Sequence, residues 1–321
     1  MNKNKLILLS FPTIIFLLIF SYGLILSLSI SCNHVSSKIT IPKGASLNQV
    51  ADMLENNLCI NSILFKTAII MTYNEKNIKY GRYDLKSINN VSDLISLITS
   101  VSKDRVRITI FEGLKIQEIA LLFKNQMDID VEKFLELCYN KRFIQELGIT
   151  ADLSNLEGYL YPDTYIFLKS FTESDIIEVM VRQFFYNYNN YVKNKTNLNV
   201  HEVVTLGSII QGEAVYDDEM ITISSVYHNR LNKNMLLQAD PTIQFLFPKQ
   251  KKKILIKDTE IKSAYNTYLN KGLPPGPINN PGIEAIVAAA NPIKTDYLYF
   301  VSDKKGRHIF NKTYKAHLKS K

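Results

Sequence analysis

HEVVTLGSIIQGEA, residues 201–214, carries a helical pattern with one residue out of character. Leu206, Ile209 and Glu213 fall at i, i+3 and i+7, so a helix puts all three on one face, with Ile210 beside them. A carboxyl group on an apolar face loses hydration in its charged form, so its pKa rises and it holds a proton near neutral pH. That is the property of a general acid. The structural alternative is a carboxylate at the rim of the stripe, hydrogen-bonded by a neighbour.

Downstream, DEMITISSVYHNRLNKN reads as a second helix whose Asp217, Asp218 and Glu219 complement the positive end of its dipole. In LLQADPTIQ, Asp240 precedes a proline and is either a second acid or an ordinary turn starter. GLPPGPINNPG is too rich in Pro and Gly for regular structure and predicts a rigid loop. YLYFVSDKKGRHIF predicts a hairpin turning at SDKKG. Upstream, NLEGYLYPDTYIF (155–167) reads either as packing and turn chemistry or as an exposed aromatic groove for sugars. The run KQKKK at 249–253 reads as a solvated loop more readily than as a binding patch.

Residues 6–30 contain no charge, and 25 residues exceed the roughly 20 that cross a bilayer as a helix. The stretch is too long for the apolar region of a cleaved signal peptide, and Ile30 suits a lipidation site at Cys32 poorly. A retained single-pass anchor is therefore expected over 6–30. Residues 1–5, with Lys3 and Lys5, would stay in the cytoplasm, and the remainder would lie outside the cytoplasmic membrane. After a polar linker at 31–37, a compact α/β unit is expected over 38–102. It has a strand at Ile39–Ile41, a helix capped by Ser46, a helix from Ser62 to Met71, a return strand in KYGRYDL and a helix in VSDLISLITS. A larger mixed α+β domain follows over 103–321, so the expected fold class is α+β.

The net charge of +8 suits an anionic partner such as a wall polymer or a membrane surface, and export argues against nucleic acid. Five histidines form no HExxH, and no P-loop or G-x-S-x-G occurs. Three cysteines have neither metal spacing nor the look of a disulfide framework. No metal and no cofactor is expected.

The strings SIIQGEA, VYHNRLNKNMLLQADPTIQF, AYNTYLNKGLPPGPINNPG and AIVAAANPIKTDYLYFV resemble the YceG-like family, the endolytic murein transglycosylases of MltG type. LEGYLYPDTY, FEGLKIQEIA and YGRYDL are similar to that family as well, and the likeness covers nearly all of the chain after residue 30. It implies a membrane anchor, a small LysM-like subdomain and a catalytic domain. It also implies cleavage of the β-1,4 bond between N-acetylmuramic acid and N-acetylglucosamine by one glutamate, which the motif places at Glu213. By the same resemblance Asn229, Gln238, Asp240, Tyr265 and Asn266 are candidates for wall or substrate contacts, and each also reads as a satisfied loop anchor. Glycan strands of peptidoglycan are the implied partner, with peptidoglycan synthases as candidate protein partners. Gln211 departs from the second glutamate that many relatives carry. Two residues along a helix differ by about 200°, so Gln211 should point away from Glu213. The rival readings are an inert wall-binding scaffold and a two-carboxylate muramidase that uses Asp240.

Overall fold

The computed structural model describes residues 38–321 except 43, 59, 86–87, 101–104, 150, 304 and 321, together with residues 23, 26 and 27. The expected span at 6–30 therefore lies almost wholly outside the described residues, among which no helix is long and apolar enough to cross a membrane. The architecture is mixed α+β. Two compact units divide the chain: Met1–Val106 with Phe167–Thr172, and Arg107–Ile166 with Glu173–Lys321.

In the first unit β1 (Lys38–Ile41) is followed by α1 (Leu47–Leu58), α2 (Ser62–Met71), β2 (Gly81–Asp84) and α3 (Val91–Thr99). β1 and β2 pair antiparallel, with Ile39 opposite Tyr83. Ser46 starts α1 with a capping box: its Oγ accepts from Gln49 N–H (3.3 Å), and its own N–H donates to Gln49 Oε1 (2.8 Å). Asn61 does the same work for α2, accepting from the N–H groups of Ile63 and Leu64. Ile39, Ile41, Val50, Leu54, Phe65, Ile69, Tyr83, Leu94 and Ile98 form the buried core between these elements.

The chain passes into the second unit within β3 (Arg105–Thr109), which pairs with β4 (Thr164–Leu168) across α4 (Ile116–Met127), α5 (Val131–Tyr139) and α6 (Lys141–Glu146). Then come α7 (Glu173–Tyr191), α8 (Val200–Glu213), α9 (Asp217–Asn232), α10 (Asp240–Phe245) and α11 (Ile283–Ala290). The hairpin of β5 (Tyr299–Ser302) and β6 (His308–Asn311) and the terminal α12 (Tyr314–Ser320) complete the unit.

The central helix is α8. Asn199 and Glu202 cap it reciprocally, at 3.0 and 2.8 Å. Every residue from Val203 to Ile210 is buried, and each of its large aliphatic side chains contributes about 1.5–3 kcal/mol by leaving water. Gly207 lets α11 lie close: a Cβ there would come within 3.3 Å of Ile286 Cα. On its other side α11 receives α9, where Ser224 Oγ donates to Ala288 O (2.7 Å) and His228 Nε2 sits 2.8 Å from Ala289 O. The acidic start of α9 does more than complement the dipole. Asp218 pairs with Arg307 and Glu219 with the backbone and ring of His308, so the helix start is tied to the β5–β6 hairpin.

Candidate active site

Glu213 is the last residue of α8, and at Ala214 the chain turns extended. Its carboxyl group is partly buried, and Tyr227 on α9 donates its hydroxyl to Oε1 at 2.7 Å. Tyr227 is itself buried, with its ring edge-on to Phe300 of β5 at 5.8 Å. Burial pushes the Glu213 pKa up to about 7. The Tyr227 hydrogen bond pulls it down, the charge of Asp240 pushes it up, and Arg230 pulls it down. The negative end of the α8 dipole also disfavours a charged carboxylate there. A carboxyl group raised this far toward neutral pH can both give up and take back a proton there, the property that general acid–base work needs.

Asp240 reaches this place because of a glycine. A Cβ on Gly212 would lie 2.7 Å from Cβ of Pro241, so only glycine admits the proline ring against the end of α8. Pro241 is also the second residue of α10, where its missing N–H is not needed. Together they set Asp240 beside Glu213. The Asp240 carboxylate accepts from the Tyr268 hydroxyl, whose pKa is raised by burial and by that bond.

Glu213, Gly212, Asp240, Pro241 and Asn279 line a cleft of about 1170 Å³ whose other residues include Glu112, Lys115, Phe245, Phe247 and Lys251–Lys253. The run at 249–253 is a largely exposed loop, as expected, and its residues from Gln250 to Lys253 also border the cleft. Lys251 pairs with Asp258 and lies over the Phe247 ring at 4.5 Å. The predicted rigid loop is bound to α8 and to the start of α4. Ile278 N–H donates to Ser208 Oγ (3.0 Å), Asn279 Nδ2 to Ser208 O (2.9 Å) and Asn280 Nδ2 to Leu114 O (2.9 Å).

The other candidates divide. Asp240 shares the cleft with Glu213. Gln238 is exposed at φ +49°, with its N–H on Thr267 O at 3.1 Å. Tyr265 is half-buried, its ring 4.8 Å from that of Phe245, a cleft residue. Asn229 and Asn266 hold loops: Asn229 Nδ2 donates to the carbonyls of Thr295 and Tyr297 (both 2.9 Å), and Asn266 Nδ2 to those of Thr259 (2.9 Å) and Ile261 (2.7 Å). The aromatic stretch at 155–167 is packing and not an open groove, with Tyr159, Tyr161, Tyr165 and Phe167 all buried. Gln211 turns away from Glu213. Its Oε1 accepts from Gly282 N–H (2.9 Å), and its side chain also bonds Glu112.

Three residues that shape the site were not singled out from the sequence. Tyr227 and Arg230 lie in an α9 stripe with Met220 and Ile223, and a buried arginine in an apolar stripe is the same kind of signal that exposed Glu213. Arg230 is held by the carbonyls of Leu237 (2.6 Å) and Leu298 (2.7 Å). Glu157, a lone charge in LEGYLYP, is buried, and burial raises its pKa to about 8. It accepts from Ile116 N–H (3.2 Å) and Asn280 Nδ2 (2.9 Å), joining the start of α4 to the proline loop. Among the described residues no group of His, Cys, Asp and Glu is arranged to hold a metal ion.

The fold and site define a mixed α+β protein with a partly buried carboxyl group of raised pKa, Glu213, in the wall of a cleft. The chain belongs to the YceG-like family, whose pattern it matches over residues 39–321. It is 35% identical over 303 residues to the endolytic murein transglycosylase of Bacillus subtilis, covering 88% of this chain and 83% of that one. With the endolytic murein transglycosylase of Streptococcus pneumoniae D39 it shares 29% identity over 297 residues, 83% of this chain and 54% of that one. A crystal structure of a YceG-like protein from Listeria monocytogenes matches with 32% identity and a TM-score of 0.61, covering 88% of this chain and 98% of that one.

Proposed function

We infer that this chain is an endolytic murein transglycosylase, a lyase that cuts the β-1,4 bond between N-acetylmuramic acid and N-acetylglucosamine inside peptidoglycan strands. The observation that carries the reading is Glu213, poised between its two protonation states at the wall of the cleft. In its acid form Glu213 gives its proton to the glycosidic oxygen as the bond from the muramic anomeric carbon breaks. The resulting carboxylate then takes the proton of the muramic C6 hydroxyl as that oxygen bonds to the anomeric carbon. The products are a 1,6-anhydro ring and a free hydroxyl on the leaving sugar. No water is consumed, and one carboxyl group serves both steps, whereas hydrolysis uses two.

A two-carboxylate muramidase is the second reading, favoured by one observation: Asp240 is near enough to raise the Glu213 pKa. Mass spectrometry of fragments released from purified peptidoglycan separates the two, since the transglycosylase leaves anhydro ends and the muramidase reducing ends. An inert scaffold releases nothing. The reading includes a single-pass anchor at 6–30 with both units outside the cytoplasmic membrane, supported by the uncharged 25 residues. It also includes a LysM-like first unit, supported by its order of two helices between two antiparallel strands. An activity reporter fused after Lys321 should work only outside the cytoplasm.

A further inference from the structure

The helix α2 is apolar on both sides. Its inner side, Phe65, Ala68 and Ile69, is wholly buried in the core of the first unit. On the 100° spacing of a helix, Lys66, Ile70, Ile63, Thr67, Met71 and Leu64 follow one another around the opposite side. Ile63 is 67% exposed and Ile70 51%, Met71 and Leu64 are exposed too, and Tyr73 just beyond the helix is 86% exposed. Four large aliphatic side chains and a tyrosine on one surface of so small a unit form the kind of patch that marks an interaction site. Lys66 borders it, and Lys76 and Lys79 are exposed in the turn that follows, where Glu75 is partly buried.

Chain geometry keeps this unit close to the stretch 6–30. Only seven residues, 31–37, separate the apolar stretch 6–30 from β1, and seven extended residues reach at most about 25 Å. Leu26, near the end of that stretch, packs against the core of the first unit. A unit tethered this closely to a bilayer meets lipid at very high local concentration. The patch has the composition of an interfacial helix face, with aliphatics to enter the acyl boundary and tyrosine and lysine to stay among the headgroups.

We propose that the outer face of α2, formed by Ile63, Leu64, Ile70 and Met71 with Tyr73, is a membrane-docking surface that seats the first unit on an anionic lipid bilayer. It rests on the reading of 6–30 as an anchor. Docking removes the freedom of the linker and holds the unit at a set height, so that the chain works on glycan next to the membrane in which it is anchored.

The chain contains no tryptophan, so a single introduced tryptophan reports on one place. The full chain is reconstituted in nanodiscs of phosphatidylcholine and phosphatidylglycerol, with and without brominated acyl chains, as Tyr73→Trp, Ile70→Trp or Ser96→Trp. Ser96 is an exposed position on α3. The expected result is blue-shifted emission for both patch variants, with bromolipid quenching at least about twofold stronger than for Ser96→Trp. Retention in the discs with equal quenching at all three positions, or with none, overturns the face and leaves the anchor standing. A blue shift that grows with the number of chains per disc and ignores bromine overturns it in favour of a second copy of the chain. Loss of the chain from the discs overturns anchor and face together.

Discussion

Replacing Glu213 with glutamine should remove activity and stabilise the fold, and the stabilisation should depend on pH in a direction the site dictates. The carboxyl pKa is raised from 4.5 to about 7 in the folded chain. Between those values the folded state binds more protons than the unfolded state, so its contribution to stability is full below pH 4.5 and falls as pH rises through 7. At 1.36 kcal/mol per pKa unit the full shift corresponds to ~3.4 kcal/mol, reduced to about 2 kcal/mol because the group is partly open to solvent. Glutamine carries no charge, and its carbonyl can still accept from Tyr227, so the variant escapes this penalty. Denaturant unfolding of parent and Glu213→Gln at pH 4.5 and pH 8.5 tests the point. The two should be alike at pH 4.5, and the variant should be about 2 kcal/mol more stable at pH 8.5. The alkaline loss of stability expected from buried Glu157, with its pKa near 8, is common to both and cancels in the difference. On purified peptidoglycan the variant should lose at least a factor of about 10² to 10⁴ in rate, the usual worth of a general acid. Equal stability at both pH values would show that Glu213 is an ordinary solvated carboxylate, and the argument for a poised acid would fail.

Tyr227→Phe removes the hydroxyl that favours the charged form of Glu213, so the alkaline limb of the pH–rate profile should move up by about one unit, given ~1.5 kcal/mol for a hydrogen bond to a charged group. A limb that moves down or stays refutes that role. Gly212→Ala forces Pro241 away from the end of α8 and should lower turnover by about tenfold or more by displacing the cleft wall next to Glu213, with a stability loss of ~1–3 kcal/mol in thermal unfolding. Gln211→Glu places a second carboxylate against Glu112, whose pKa burial, Glu284 and Asp217 already raise. It should therefore reduce stability by about 1 kcal/mol at pH 8 and less at pH 5, while the alkaline limb set by Glu213 stays in place. A displacement of that limb by a unit or more would mean that residues 211 and 213 share one site.

Much of the fold could be read from the chain because it is set locally. The Ser46 cap, the α8 stripe, the acidic start of α9 and the β5–β6 hairpin all depend on residues within a few positions of one another, and each lies where the pattern predicts it. Glu213 stood out for the same reason: a carboxylate in an apolar stripe is anomalous on its own helix, whatever packs against it. What surrounds it depended on tertiary packing. Asp240 comes next to Glu213 only because Gly212 admits Pro241, a contact between two short motifs almost thirty residues apart that neither motif discloses alone. Tyr227 meets the carboxyl group only once α8 and α9 are packed. The amides of Asn229 and Asn266 look alike in the chain to amides that contact a ligand, and only their carbonyl partners, one pair lying beyond residue 290, make them loop anchors. The aromatics at 155–167 and the lysines at 249–253 carried two readings each for one physical reason. Composition determines what a side chain can do, but exposure and neighbours determine what it does, and those are properties of the packed chain.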